Sequence, residues 1–106
     1  ALPTWLMPTQ VMVIPISENY HDYAEKVHKA LRAAGIRADV DYRAEKMGYK
    51  IREAQLEKIP YMLVVGEKEA ADNTVAVRAR KEENGGTKTI EQFIADIRSE
   101  IDNKVV

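Results

Sequence analysis

The unbroken apolar run Tyr61-Met62-Leu63-Val64-Val65, bounded by Pro60 before it and Gly66 after it, most narrows the folds open to this chain. A strand with no polar alternation is buried on both faces, and burial on both faces requires a sheet with helices on either side. The rest of the chain supplies the material for such a fold. Gln10 to Ile16 is a second apolar run, read as a buried strand whose Pro15 end lies near the sheet's margin. From Tyr20, the positions Tyr20, Tyr23, Ala24, Val27, Leu31 and Ala34 recur at helical spacing, and Gly35 follows where a left-handed C-terminal cap is expected. Ile36, Ala38, Val40 and Tyr42 then alternate with Arg37, Asp39 and Asp41, the period-two signature of a strand at a sheet edge.

Lys46 to Lys58 is helix-prone, with Met47, Ile51 and Ala54 on one stripe and a start expected near Gly48. Thr74 to Arg80 alternates again, placing Val75, Val77 and Ala79 opposite Ala76, Arg78 and Arg80. Asn84-Gly85-Gly86 breaks the chain, after which Thr89 and Gln92 make a capping box for a helix carrying Ile90, Phe93, Ile94, Ile97 and Ile101. The order is β-α-β-α-β-β-α. Alternating strands and helices imply mostly parallel pairing by crossovers, and the short link between the last two strands allows an antiparallel neighbour. The expected class is therefore a three-layer α/β/α fold. With 106 residues there is room for one domain, assigned to 10–106, with 1–9 read as an extended linker remnant because Pro3 and Pro8 flank Trp5-Leu6-Met7.

Composition removes several functions. There are no cysteines, which excludes disulfides, thiolate zinc sites and thiol redox chemistry and points to a cytoplasmic setting. No apolar run reaches the roughly 18–20 residues of a membrane helix, so no membrane association is expected. Sixteen basic and seventeen acidic residues give a net charge of −1, so any contact with a polyanion must be local. His21 and His28 are about 10.5 Å apart along one helix axis, too far to chelate one metal together, and read as solvated. Neither serine, Ser17 or Ser99, has the surroundings of an activated nucleophile, and no glycine-rich phosphate loop is present. Glu67, Glu69 and Asp72 read as a solvated acidic turn, with no specific metal signature.

What remains are groups suited to single-stranded bases. Arg43, Lys46, Lys50 and Arg52 offer cations, and Tyr42 and Tyr49 offer stacking surfaces. From pattern alone, a solvated helix face competes with this reading, since Lys46, Lys50, Glu53 and Glu57 support one another at helical spacings.

Four segments carry a resemblance: Trp5-Leu6-Met7-Pro8-Thr9-Gln10-Val11, Ala34-Gly35-Ile36-Arg37, the run from Glu45 to Glu53, and the run from Ile59 to Glu69. Together they resemble the C-terminal anticodon-binding domain of bacterial threonyl-tRNA synthetase over nearly the whole chain. The first two are shared with prolyl, glycyl and histidyl relatives, whereas K-I-R-E and P-Y-M-L-V-V-G-x-K-E favour the threonyl member. The resemblance implies a five-stranded mixed sheet with helices on both sides. It also implies a docking surface for the anticodon loop of threonine tRNA, read at its second and third anticodon bases. By motif position, Glu69 and Arg78 fall on readers of the middle guanine, Arg52 on a further anticodon contact, and Lys46 on a nearby backbone or base contact. The asparagine that members commonly carry after Arg43 is Ala44 here, which implies either weaker reading of the third base or its reading by a neighbour such as Arg43.

The resemblance places the catalytic core, with its ATP and zinc, upstream of these residues. No cofactor is expected in this domain, and it is not expected to catalyse ligation alone. The parent is expected to be a homodimeric threonine-tRNA ligase, and the domain by itself a monomer with tRNA and the catalytic core as partners. A protein-interaction module that keeps the fold without reading RNA is the alternative.

Overall fold

A computed structural model describes residues 2–80 and 86–104. Its sheet contains β1 (Val11–Pro15), β2 (Ala38–Val40), β3 (Tyr61–Val65), β4 (Thr74–Ala79) and β5 (Gly86–Thr89), in the spatial order β2-β1-β3-β4-β5. The helices are α1 (His21–Ala33), α2 (Met47–Leu56), α3 (Glu67–Asp72) and α4 (Ile90–Asp102). The uninterrupted apolar strand is central, as its composition requires, and the alternating β2 is at the edge. β1 pairs in parallel with β2 and β3, while β4 is antiparallel to both β3 and β5. Among the described residues, no helix is long and apolar enough to cross a membrane.

The crossover through α1 moves the chain to one side of β1 and that through α2 returns it to the other. Because such crossovers share one hand, the two helices fall on opposite faces of the sheet. On one face, Val11, Val13, Leu63, Val65, Val75 and Val77 pack against Tyr23, Ala24, Val27 and Leu31 of α1 and Ile90, Phe93 and Ile97 of α4. On the other, Ile14 and Met62 pack beneath Ile51 and Ala54 of α2, with Ile59 closing the cluster. Two helices cover the first face, but α2 lies mainly over β1.

The helix ends follow local chemistry. Gly35, at φ 79°, closes α1 as its sequence position suggests, with Gly35 N donating to Arg32 O and Ile36 N to Leu31 O. Gly35→Ala is expected to cost about 1–2 kcal/mol, the left-handed penalty of a Cβ, since the added methyl would meet only Arg98 Nη1 at an ordinary 3.6 Å. Thermal melting of the variant against the parent chain checks this. At α4, Thr89 Oγ1 accepts from Gln92 N at 3.1 Å, but the Gln92 amide turns forward to Asp96, so only half of the capping box forms.

Several expectations need correction. The charged stretch after Gly66 is the helix α3 and not an open turn. Glu69 Oε1 accepts from Gly66 N at 2.8 Å, and Asn73, at φ 57°, ends the helix. The residues expected as an extended lead-in include a 3-10 turn at Thr4–Leu6 with Thr4 and Met7 buried. Gln10, also buried, bonds Thr4 O and Arg37 N, so its amide is satisfied while joining this turn to β2. Pro15 ends an interior strand, but β2 stops opposite Val13, so the missing N–H falls where no ladder remains. Asn84 and Gly85 of the expected break lie outside the described residues, and Gly86 begins β5.

Candidate nucleic-acid interface

Because α2 lies over β1 and over Met62 of β3, it is the β4–β5 side of that sheet face that is left open. The side chains of Met62, Val64, Ala76, Arg78 and Thr87 belong to this face, by alternation along the strands and by the pairings Met62 with Arg78 and Ala76 with Thr87. Met62 is buried, Val64 and Ala76 are half-buried, and Arg78 and Thr87 are exposed. Arg52 is exposed on α2, the helix that packs on this face.

The arginines divide into two groups. Arg37 donates to Trp5 O and Met7 O, Arg80 to Lys58 O and Leu2 O, Arg98 to Asp102, and Arg43 to two carboxylates. Arg32, Arg52 and Arg78 have no hydrogen-bond or ion-pair partner among the described residues, and neither has Lys46. Folding therefore leaves Arg52, Arg78 and Lys46 with their donors open to an external acceptor.

Glu69 stands apart, at the carboxyl end of β3. Arg78 lies opposite Met62, four residues or about 13 Å of strand from Gly66, and no Arg78–Glu69 ion pair forms among the described residues. One Glu69 oxygen holds the Gly66 amide. Its charge also contributes, after burial, to pushing the Tyr23 hydroxyl up to about 12. The expected acidic turn is thus partly committed to helix capping.

The cations expected around α2 are used differently. Lys50, read from its charge as part of a solvated face, is 3% exposed. Its Nζ donates to Asp41 O at 3.0 Å and, at 3.5 Å, to Pro15 O, joining the ends of β1 and β2 where the ladder stops. Arg43 forks onto Asp41, with Nε to Oδ1 at 2.9 Å and Nη2 to Oδ2 at 2.7 Å, and also bonds Glu53. The guanidinium holds both carboxyls below their usual range, and its own proton is bound more firmly in turn. Met47, expected on the buried stripe, is exposed because Lys50 takes its place beside Ile51 and Ala54. The i,i+4 spacing of Lys50 and Ala54 was the available signal for that burial.

The two candidate stacking rings also differ. Burial, and after it the bond to Glu25, pushes the Tyr42 hydroxyl up to about 12, and its ring meets His21 edge-on at 5.0 Å. Tyr49 lies under the Arg43 guanidinium, 5.6 Å from the ring centroid, and the Glu53 carboxylate raises its hydroxyl above the usual tyrosine value. His28, read as solvated, bonds Ala38 O through Nε2 at 2.9 Å and covers the outer edge of β2. A groove between α2 and β2 is lined by Asp39, Asp41, Glu53 and Glu57 against Arg43 and Lys50, an excess of acid that opposes phosphate. Among the described residues, no grouping of three histidine or carboxylate side chains is placed to hold a metal, so these residues do not fit zinc.

This fold has counterparts among known proteins. Residues 10–100 match the family model described as Anticodon binding domain. The chain belongs to this family. As an anticodon-binding domain, it is 58% identical over 104 residues to a threonine–tRNA ligase of Clostridium botulinum, covering 98% of this chain and 16% of that protein. It is 52% identical over 103 residues to the threonine–tRNA ligase of Aquifex aeolicus, covering 97% and 16%. The chain thus spans about one-sixth of the length of the curated relatives it matches. Among solved structures, the RNA binding domain of threonyl-tRNA synthetase from Cryptosporidium parvum superposes with a TM-score of 0.85 at 40% identity, over 92% of this chain and 25% of that one. A prolyl-tRNA synthetase from the same organism superposes at 0.86 with 23% identity, over 97% and 22%, and shares the fold. The expected three-layer architecture with a five-stranded mixed sheet is the one observed.

Proposed function

We propose that this anticodon-binding domain reads the second and third anticodon bases of threonine tRNA for a longer threonine–tRNA ligase. The catalytic core of that ligase, acting with ATP and zinc, lies outside these residues, and the assembly works as a cytoplasmic homodimer. The observation that carries the reading is Arg78, a free guanidinium on an uncovered sheet face, in a chain 58% identical to a threonine–tRNA ligase.

The chemistry supports the assignment. A guanidinium bonds guanine O6 and N7 as a bidentate donor, and a carboxylate accepts from N1–H and the 2-amino group. These groups lie on different edges of the base. Two readers that stand apart and do not neutralise each other suit that task, as Arg78 and Glu69 do. Arg52 and Lys46 supply phosphate or further base contacts. The third base has a weaker reader, because Ala44 offers only a methyl group and the Arg43 guanidinium is held by Asp41 and Glu53. The isolated domain acts as a monomer.

Arg78→Ala is expected to weaken binding of a stem-loop carrying the anticodon GGU by about 1–3 kcal/mol, the worth of one bidentate base contact. Preference over a loop carrying GCU should fall with it. Titration by fluorescence anisotropy at fixed low salt measures both, and unchanged affinity removes Arg78 from the reading. A protein-interaction module is favoured by one observation, Leu56 at 74% exposure on α2. Capture of a protein partner that survives ribonuclease and is lost in Leu56→Glu, with no stem-loop binding, is the outcome that selects it.

A further inference from the structure

The exposed aromatic ring on α2 is held more firmly than an ordinary surface tyrosine. Tyr49 is 47% exposed, with the Arg43 guanidinium over one ring face at 5.6 Å and Glu53, the carboxylate that Arg43 bonds, one turn along α2. Arg43 in turn forks onto the buried Asp41, whose backbone carbonyl accepts from the buried Lys50. A chain of charged groups therefore runs from the ends of β1 and β2 out to one face of the ring.

One face of the ring is occupied, and about half of the residue stays exposed. Arg52 lies one helical turn further along the same side of α2, with no partner among the described residues. A planar apolar surface beside a free cation matches the two halves of a nucleotide, a base and its phosphate. A ring already fixed loses little rotamer freedom when a base stacks on it.

We propose that the open face of Tyr49 is the stacking platform for one unpaired base of the bound RNA loop, and that Arg43 is the positioning residue that holds the platform. The inference rests on the anticodon-loop reading. It gives Arg43 a task other than base recognition, which its two carboxylate partners obstruct.

The test uses this chain and an anticodon stem-loop with 2-aminopurine placed in turn at each unpaired position. One position is expected to lose fluorescence on binding to the parent chain and to Tyr49→Phe, which keeps the ring. Tyr49→Leu should abolish that quench and raise Kd about tenfold, within the range for one base–aromatic stack. Arg43→Lys should reduce the quench, because an ammonium cannot reproduce the planar fork. Circular dichroism establishes that each variant is folded.

An unchanged quench and Kd in Tyr49→Leu would overturn the platform. If Arg78→Ala weakens binding in the same assay while Tyr49→Leu does not, the anticodon reading stands without the platform. If the parent chain binds no stem-loop, the reading falls and the platform with it. If Tyr49→Leu abolishes capture of a protein and leaves RNA binding intact, the stripe from Tyr49 to Leu56 serves a protein and the proposal is wrong.

Discussion

Phe93→Ala is expected to destabilise the chain by about 3–5 kcal/mol, the largest loss from any single truncation in this core. Phe93 is 2% exposed on the inner stripe of α4, between Ile90 and Ile97. Its ring meets Tyr61 of the central strand edge-on at 5.5 Å, and Tyr61 is tied back to α4 through Glu100. Truncation would remove the contact that seats α4 on β3 and leave a void beneath it. A domain of this size has about 5–15 kcal/mol of stability in total, so the variant would sit near its limit. Urea unfolding checks this, followed by Trp5, the single tryptophan, in the turn that packs against α4. The midpoint should fall with an unchanged slope. A loss below about 1 kcal/mol would mean that α4 does not close the core as described.

The second large effect is expected at Lys50. Lys50→Ala should cost about 2–4 kcal/mol, combining a lost buried stem with the Asp41 and Pro15 carbonyls left short of a donor. Lys50→Met separates these terms, because it keeps the stem and removes the donor, and should cost about 1–3 kcal/mol. The same urea titration reads both. If Lys50→Met were as stable as the parent chain, the ammonium would not be what joins the ends of β1 and β2. Since Asp41 anchors Arg43, the Met variant should also loosen Tyr49.

Physical signals of different strength explain how much of this molecule was legible in its residues. α1 repeats its apolar positions over three turns and ends at Gly35, and β3 is apolar without interruption, so both are overdetermined. The edge position of β2 followed from alternation. β5 carried no such signal: Gly-Thr-Lys-Thr has no apolar period and forms a strand because β4 offers it a partner. α3 is six residues in a charged run, begun by the Glu69 contact to the Gly66 amide, a cap invisible to a search for apolar faces.

The site was legible in part. The motif positions of Arg52 and Arg78 correspond to residues that the fold leaves unpaired. Arg43 and Lys50 are instead bonded within the fold, because a cation in sequence does not reveal its partner. Asp41 is two residues before Arg43, and Lys50 shares a helix face with Ala54, but only tertiary structure turns those spacings into a buried fork and a strand clamp.

The central claim is base-specific reading by the open sheet face, and an NMR titration of this chain at low salt tests it most directly. One stem-loop carries GGU, and the other has its middle guanine replaced by cytosine. Shifts gathered at Arg52, Glu69 and Arg78 with the first RNA and absent with the second are the predicted result. Equal shifts with both RNAs, or shifts confined to other surfaces, would contradict it.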